Sequence, residues 1–411
     1  MDPVTHGIAG ALIGKAFFSD SRSANPSTES RARVAIFAAT LGAVFPDVDV
    51  FVDAFSHDPL SIARYHRGFT HSFVGLPIFA VLLAWLTRVF FSWYARRNDH
   101  AEWQPPSFAF LFAIYAAGIA SHIILDGFTS FGTRMFNPFS KDRVAWDFLF
   151  IIDFIFTALL LVPQLAAWVH QRQTGAKARA AAIWAFLTIL AIAVWLLARA
   201  AEFSFPLRAI DIASAIVAAL LFLPLRRNLR ARISRSQWCR AGFCLSCLYV
   251  VAAGFAHHAA ILRVRAFASS HHIAAEKIGA MPLPVSIFHW NGLILTADGV
   301  YQSDFSLRSA AAPQFRLFSD SPQNRFTREA QQLEPVRTFL WFARFPAMHF
   351  VATDGQFFVD YSDLRFFSGV NEQPLPFTFY VSFDSEGKML KYGWTERGPR
   401  LQSAASSSDI Q

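Results

Sequence analysis

Four short groups of ionisable residues interrupt an otherwise oily sequence, and their types and spacing suit metal chemistry. Thr5-His6 opens a first apolar run and Phe45-Pro46-Asp47-Val48-Asp49 closes a second. His66-Arg67-Gly68-Phe69-Thr70-His71-Ser72 opens a third, and Ser121-His122-Ile123-Ile124-Leu125-Asp126-Gly127 closes a fourth. Ionisable side chains inside or beside a membrane span are costly, which makes each group a functional candidate. His122 and Asp126 are four apart, so a helix sets them on one face, one turn from each other. An extended Asp47-Val48-Asp49 would turn both carboxylates to one side. His66 and His71 converge if the third helix begins near Gly68.

The four imidazoles (His6, His66, His71, His122) and three carboxylates (Asp47, Asp49, Asp126) are ligands for Zn²⁺, with Mn²⁺ or Fe²⁺ as alternatives, rather than for Ca²⁺ or soft copper. Seven candidates exceed what one tetrahedral zinc uses. Two ions sharing a bridging carboxylate would employ them, and such a pair activates water for phosphoester hydrolysis. Arg67, with Arg134 beside it as a second candidate, then suits a substrate phosphate. Singly, each group also has a plain reading: an interfacial His, a helix stop at Asp47 and Asp49, an intrahelical hydrogen bond at His122–Asp126.

The elements that must position these groups are membrane helices. The chain has 411 residues, 54% apolar and only 16% charged, with 45 Phe and 11 Trp, and a mean hydropathy of +0.33. A soluble domain usually carries about 25% charged residues, so the composition excludes a disordered chain and argues against an ordinary cytosolic enzyme. Runs long enough for the hydrocarbon core, about 20 residues, are Val34–Val52, Phe69–Tyr94, Ser107–Leu125, Phe148–Val169, Ala178–Ala198, Leu207–Leu225 and Trp238–Ile261. Val4–Phe18 is shorter and lacks the basic start of a signal peptide, so it reads as a retained half-span. The expected fold is a mainly α polytopic bundle of about eight membrane segments.

Residues 226–240 hold six Arg and no acid, which places that loop in the cytoplasm. Counting back, all four ionisable groups reach the outer face. The outer 126–147 loop, with Arg134, Lys141 and Arg143, conflicts with the charge rule unless those residues serve a site. The net charge of +8 is used up by topology, so no nucleic-acid partner is expected. Three Cys make no disulfide framework, and Cys244-x-x-Cys247 lies in an apolar helix, where a redox role is improbable. His257-His258 and His271-His272 read as interface residues, and Asp153 and Asp211 are left open. No Gly-rich phosphate loop, nucleophile elbow or HExxH occurs.

The organisation expected is a membrane core over 1–170, further spans over 171–262, a β-rich domain over 263–400 and a disordered Ser-rich tail over 401–411. Strand-like runs are Val285–Thr296, Thr338–Phe345, Gln356–Phe367 and Phe377–Phe383. Asp298-Gly299 and Asp354-Gly355 are hairpin signals, since Gly takes positive φ without steric cost.

The four groups, with Gly127-Phe128-Thr129-Ser130-Phe131-Gly132 and Asn137-Pro138-Phe139, resemble the YdjM-like family of membrane-bound metal-dependent hydrolases over roughly residues 1–170. That family looks distantly similar to zinc-dependent phospholipase C and the single-strand-specific zinc nucleases. The resemblance implies ligand roles for His6, His66, His71, His122 and Asp126, and for Asp47 and Asp49, one of which would be a general base. It implies a multi-pass hydrolase of the bacterial inner membrane, and the topology count places the C-terminal β domain on the extracytoplasmic side. Its substrate would be an amphiphilic phosphoester, such as a lipid or envelope-precursor headgroup among the membrane lipids. Asp49, Asp47 and Arg67 would be the catalytic set. Two other classes stand beside it: a metal- or proton-coupled transporter, and a structural or regulatory membrane protein with a structural metal. The β domain would lid the site or bind an envelope partner, whose identity the sequence leaves open.

Overall fold

The computed structural model describes residues 1–18, 26–97, 106–171, 174–200, 207–226, 233–284, 287–353, 355–367, 375 and 377–395. The Ser-rich tail, Asp354 and the basic residues 227–232 lie outside the described residues. Among those described, seven helices are long and apolar enough to cross a membrane. A short first helix, α1 (Pro3–Ile13), continues as a π-helical turn over Gly14–Phe18. Its start follows from local chemistry: Asp2 caps the Thr5 N–H at 2.9 Å and Pro3 sits at the first helical position.

Helix α2 (Pro26–Val44) ends at Pro46 in a 3₁₀ turn, Phe45–Asp49, and resumes as α3 (Val50–Phe55). The pair of Asp residues is therefore in a tight turn, not an extended strand, because a helix that meets Pro loses the backbone bond it would continue on. After α4 (Ser61–Tyr65), the third span begins only at Gly75, as α5 (Gly75–Arg97). The segment His66–Val74 is a loop with one 3₁₀ turn at Phe69–His71, so His66 and His71 precede the helix instead of opening it. Ser72 stops the turn by accepting the Gly75 N–H at 2.9 Å.

Helix α6 (Phe108–Gly127) carries His122 and Asp126 in its last turns. The next span, α7 (Phe154–Gln171), starts later than its apolar run because Asp153 caps the Phe156 N–H at 2.9 Å. Asp153 also accepts the Tyr249 hydroxyl at 2.9 Å, which gives this buried acid a structural employment. Helices α8 (Ala176–Ala200) and α9 (Arg208–Arg226) follow, with Asp211 exposed in the first turn of α9.

Small residues let the site-bearing helices close up, the usual solution where lipid offers no hydrophobic drive between helices. A Cβ added at Gly10 of α1 would meet the Ala39 carbonyl at 2.5 Å, and one at Gly118 of α6 would meet the same carbonyl at 2.6 Å. The Ala39 turn of α2 is thus gripped from both sides. That pinch brings His6, Asp47, His122 and Asp126 to one end of the bundle.

The last span, α10 (Arg235–Ser270), has 36 residues, about 54 Å at 1.5 Å per residue. It outlasts its apolar run because its end is not solvent-facing: Val264 and Ala268 are buried against Ile294 and Phe315 of the C-terminal domain. That domain has two antiparallel four-stranded meanders. The first is β1 (Lys277–Pro282), β2 (His289–Thr296), β3 (Gly299–Ser306) and β4 (Arg316–Ser319). The second is β5 (Pro346–Thr353), β6 (Gln356–Asp363), β7 (Thr378–Phe383) and β8 (Met389–Trp394). Gly299 at φ +135° and Gly355 at φ +75° make the β2–β3 and β5–β6 hairpins.

Between the sheets lie α11 (Arg325–Gln332) and α12 (Glu334–Phe342). The Thr338–Phe345 run is therefore mostly helix, not strand. Pro335 starts it, and Val336, Phe339 and Phe342 recur every third residue as one buried face.

Candidate metal centre

Four ligand atoms from three separate elements meet at the end of the bundle: Asp47 Oδ1 from the 3₁₀ turn, His71 Nε2 from the loop, and His122 Nε2 and Asp126 Oδ2 from α6. The two imidazole nitrogens are 3.0 Å apart. Asp47 Oδ1 lies 3.4 Å from each of them and Asp126 Oδ2 lies 3.3 Å from each. A tetrahedron of ligands at the usual zinc distances of 2.0–2.1 Å has edges of about 3.3–3.4 Å. Five of the six edges are therefore close to what one ion requires.

Hydrogen bonding alone does not account for this packing. Asp126 Oδ2 and Asp47 Oδ2 are buried without a hydrogen-bond partner. Although Asp126 Oδ2 is near both rings, neither contact has hydrogen-bond geometry. Carboxylates buried in this way need a cation or several donors. The residues present fit a divalent ion of the zinc type, with two nitrogen and two oxygen donors.

The next layer holds each ligand ring in the required tautomer. His122 Nδ1 donates to the Ala43 carbonyl at 2.6 Å, leaving Nε2 to face the cluster. His71 Nδ1 faces Asp49 Oδ2 at 3.1 Å and Thr70 Oγ1 at 2.9 Å. Asp49 is saturated: it accepts His66 Nδ1 at 2.8 Å, the Arg67 backbone N–H at 3.0 Å and the Thr70 hydroxyl at 2.8 Å. Thr70 went unassigned in the sequence; its place between His66 and His71 was the one signal of its role.

A second group of ligand atoms, from Asp47, Asp49, His66 and His71, also lies close enough for an ion. It shares Asp47 and His71 with the first. His71 Nε2 already faces the first group, so a second ion would need the same imidazole bridging through both nitrogens. His6 belongs to neither group. It stacks on His122 with centroids 3.6 Å apart, and its Nε2 is 3.2 Å from Asp126 Oδ1.

Arg67 is turned inward instead of toward a substrate. Its Nη2 is 3.0 Å from Asp126 Oδ1 and its Nη1 donates to Thr129 Oγ1 at 2.8 Å. Its backbone is left-handed, φ +58°, a strain of about 1–3 kcal/mol that the surrounding bonds must hold. The phosphate-binding role expected of Arg67 is thus at odds with its position; it balances Asp126, as does the Met1 amino group in contact with the same carboxylate.

The carboxylates also set the protonation of His71. Burial opposes a charged ring, yet Asp126, Asp47 and Asp49 around it push its pKa up to about 10. A metal ligand must be neutral, so metal uptake below that pH expels a proton from His71. The expected result is an affinity that rises about tenfold for each pH unit across neutrality. Competition titrations against a chelator at two pH values check it; an affinity independent of pH would contradict it.

The C-terminal domain sits against this centre. Leu60 is buried in the core that faces β5–β8, Arg365 Nη1 donates to the Ser130 carbonyl at 2.9 Å, and Arg344 forms a two-pronged ion pair with Asp147 at 2.8 and 2.9 Å.

Two comparisons with known proteins find similarity over less than half of the chain's length. Over 169 residues the chain is 28% identical to the uncharacterized protein YfhP of Bacillus subtilis (strain 168), covering 41% of this chain and 46% of that one. The chain thus matches about half the length of this relative. No solved structure matches. Residues 1–200 match the family model of the YdjM inner membrane protein, a stretch that holds all four ionisable groups and ends with α8. Over these residues the chain is similar to the YdjM inner membrane protein family.

Proposed function

We propose that this protein is a membrane-embedded, metal-dependent hydrolase acting on a phosphoester, with its centre at the outer face of the membrane. The observation that carries the reading is the near-tetrahedral set of Asp47, His71, His122 and Asp126, with Asp49 and His66 beside it. A divalent ion bound there would polarise a phosphoryl oxygen and make water a better nucleophile. The ion is most simply zinc, one per chain.

The chain's own residues divide the remaining work. Asp49 fixes both His66 and His71, which makes it a positioning residue rather than the general base that the family resemblance offered for it or Asp47. His66 is the general base: its Nδ1 is held by Asp49, and its side chain is 17% exposed, the most accessible imidazole of the cluster. An Asp–His pair so arranged keeps the second ring nitrogen free to take a proton. Asp47 has Oδ1 toward both His71 and His122, which suits it to be a metal ligand.

The outer-face assignment rests on the arginines between α9 and α10, which mark the opposite side. A cleavable bond at that level belongs to an amphiphile in the membrane. A transporter is less well supported, because the ligands gather at helix ends instead of lining a midplane path.

The test is release of phosphate or of a soluble headgroup by full-length protein in lipid nanodiscs, before and after chelation. Turnover that chelation abolishes and zinc restores is expected. His66→Gln should lower kcat by about 100-fold or more while keeping the metal. Metal-loaded, folded protein that hydrolyses no phosphoester in a broad panel would overturn the reading.

A further inference from the structure

The loop between α6 and α7 carries two guanidiniums that make no direct ion pair among the described residues, Asp49 acting on both only from beyond contact. Arg134 Nη2 donates to the Arg64 carbonyl at 2.8 Å. Arg143 donates to the carbonyls of Ala63 at 2.6 Å, His66 at 3.1 Å and Gly132 at 3.2 Å. These acceptors are mostly in the turn that delivers His66 to the metal centre. Among the described residues neither arginine makes an ion pair, whereas the neighbouring Arg67 and Arg365 are balanced by Asp126 and Asp363. Both guanidiniums lie over the ring of Trp341, from α12, at 5.9 and 5.5 Å. Each also keeps a buried Nε without a hydrogen-bond partner.

Two cations sharing one aromatic ring repel each other, and burial strengthens the repulsion. Burial first, then Arg134, Arg67 and Arg365, outweigh the opposing pull of Asp49 and bring the Arg143 pKa down to about 9, so the group is still charged at neutral pH. Carbonyl bonds to one turn explain how the arginines are fixed, but Asp49, already bonded to His66, Thr70 and the Arg67 backbone, is a single distant charge against two cations. An anion explains it, because planar guanidiniums are suited to phosphate oxygens. Arg134 is the better donor of the two, since its Nη1 makes no hydrogen bond among the described residues. Gly68 makes room for it: a Cβ there would come within 2.6 Å of Arg134 Nη2.

We propose that Arg134 and Arg143, backed by Trp341, form an anion site for a phosphate group beside the metal centre. The role given to Arg67 by sequence passes to this pair. On the hydrolase reading, this is where the substrate's phosphate is held, and the C-terminal domain completes the site by supplying the aromatic wall. Phe136 and Phe139 of the same loop are 53% and 86% exposed, an apolar rim suited to a substrate with an acyl or prenyl tail.

The site can be tested without the metal. Full-length protein in detergent, stripped of divalent ions with a chelator, is titrated with inorganic phosphate by calorimetry. Saturable binding is expected. Arg134→Gln should weaken it roughly tenfold to a hundredfold, the range for a charged hydrogen bond, and Arg134→Lys should recover part of the loss. Trp341→Leu, which leaves both arginines in place, should weaken it less. Absence of phosphate binding in the wild type, or equal affinity in Arg134→Gln, overturns the proposal. Because no divalent ion is present, neither result depends on the hydrolase reading, which fails separately if metal-loaded protein shows no turnover. Repeating the titration in nanodiscs with and without phosphatidate distinguishes the source. Competition by phosphatidate supports a lipid headgroup, and unchanged phosphate affinity supports a soluble phosphate ester at the same site.

Discussion

An Asp126→Ala protein is expected to lose both its metal and much of its stability. Asp126 is almost fully buried and faces His71, His122, His6, Arg67 and the Met1 amino group together. Without the carboxylate, Arg67 has no counter-charge in an apolar surround. Removing one partner of a buried pair costs about 3–5 kcal/mol, far above the worth of the pair itself, because the other charge is stranded. Asp126→Asn keeps the volume and an acceptor for Arg67, so it should unfold at a temperature nearer the wild type. It should still bind zinc more weakly, by more than the roughly 100-fold that follows the loss of an outer-layer partner. Thermal unfolding in detergent, with and without added zinc, separates the two effects. Equal stability of Asp126→Ala and wild type would contradict the placement of Arg67 on this carboxylate.

The second large effect is expected at the seam between the membrane core and the C-terminal domain. Arg344 meets Asp147 with both prongs, and Asp147 is 4% exposed at a left-handed φ of +57°. Arg344→Ala leaves that aspartate buried and alone, at a cost of about 3 kcal/mol, the low end of the range because Arg344 itself reaches solvent. The double variant, with Asp147→Ala added, should regain part of the loss, since neither charge is then stranded. The local consequence matters more than the total. Leu60, Arg365 and Arg344 all fasten the domain to the loops carrying His66 and Ser130, so those loops should loosen with it. Amide hydrogen exchange is expected to rise over residues 58–68 and 128–147, while α2 and α6 stay protected. Unchanged exchange in those loops would mean the domain sits on the centre without bracing it.

How far the sequence discloses such a site depends on what carries the information. His122 and Asp126 were legible because helix spacing alone sets them on one face, and their burial in α6 follows. Asp47, His66 and His71 were legible as charges where an apolar chain should have none. Their geometry was not. It depends on a 3₁₀ turn after Pro46 and on a nine-residue loop before Gly75, neither of which has a period to read. For the same reason sequence could count seven candidate ligands but not assign them. The structure gives four to one tetrahedral set, spends Asp49 on orienting two imidazoles, and leaves His6 stacked outside.

Arg67 illustrates a different limit. Beside a His it reads as a phosphate ligand, and only the tertiary structure reveals the buried carboxylate that claims it. In the C-terminal domain, alternation signalled strands where one face is buried. It misread α12, whose aromatic residues look strand-like in composition although their every-third-residue spacing is helical. The excess of basic residues in the 126–147 loop, a conflict for topology, is explained if Arg134 and Arg143 serve the site.

The most direct test of the account is the metal content of detergent-purified full-length protein, measured by elemental mass spectrometry beside His122→Ala. His122 supplies one corner of the tetrahedral set through a ring fixed by the Ala43 carbonyl. Close to one zinc-type ion per chain is expected in the wild type and nearly none in His122→Ala, with both proteins folded. Wild-type protein purified without chelator and free of metal, or an ion retained undiminished by His122→Ala, would contradict it.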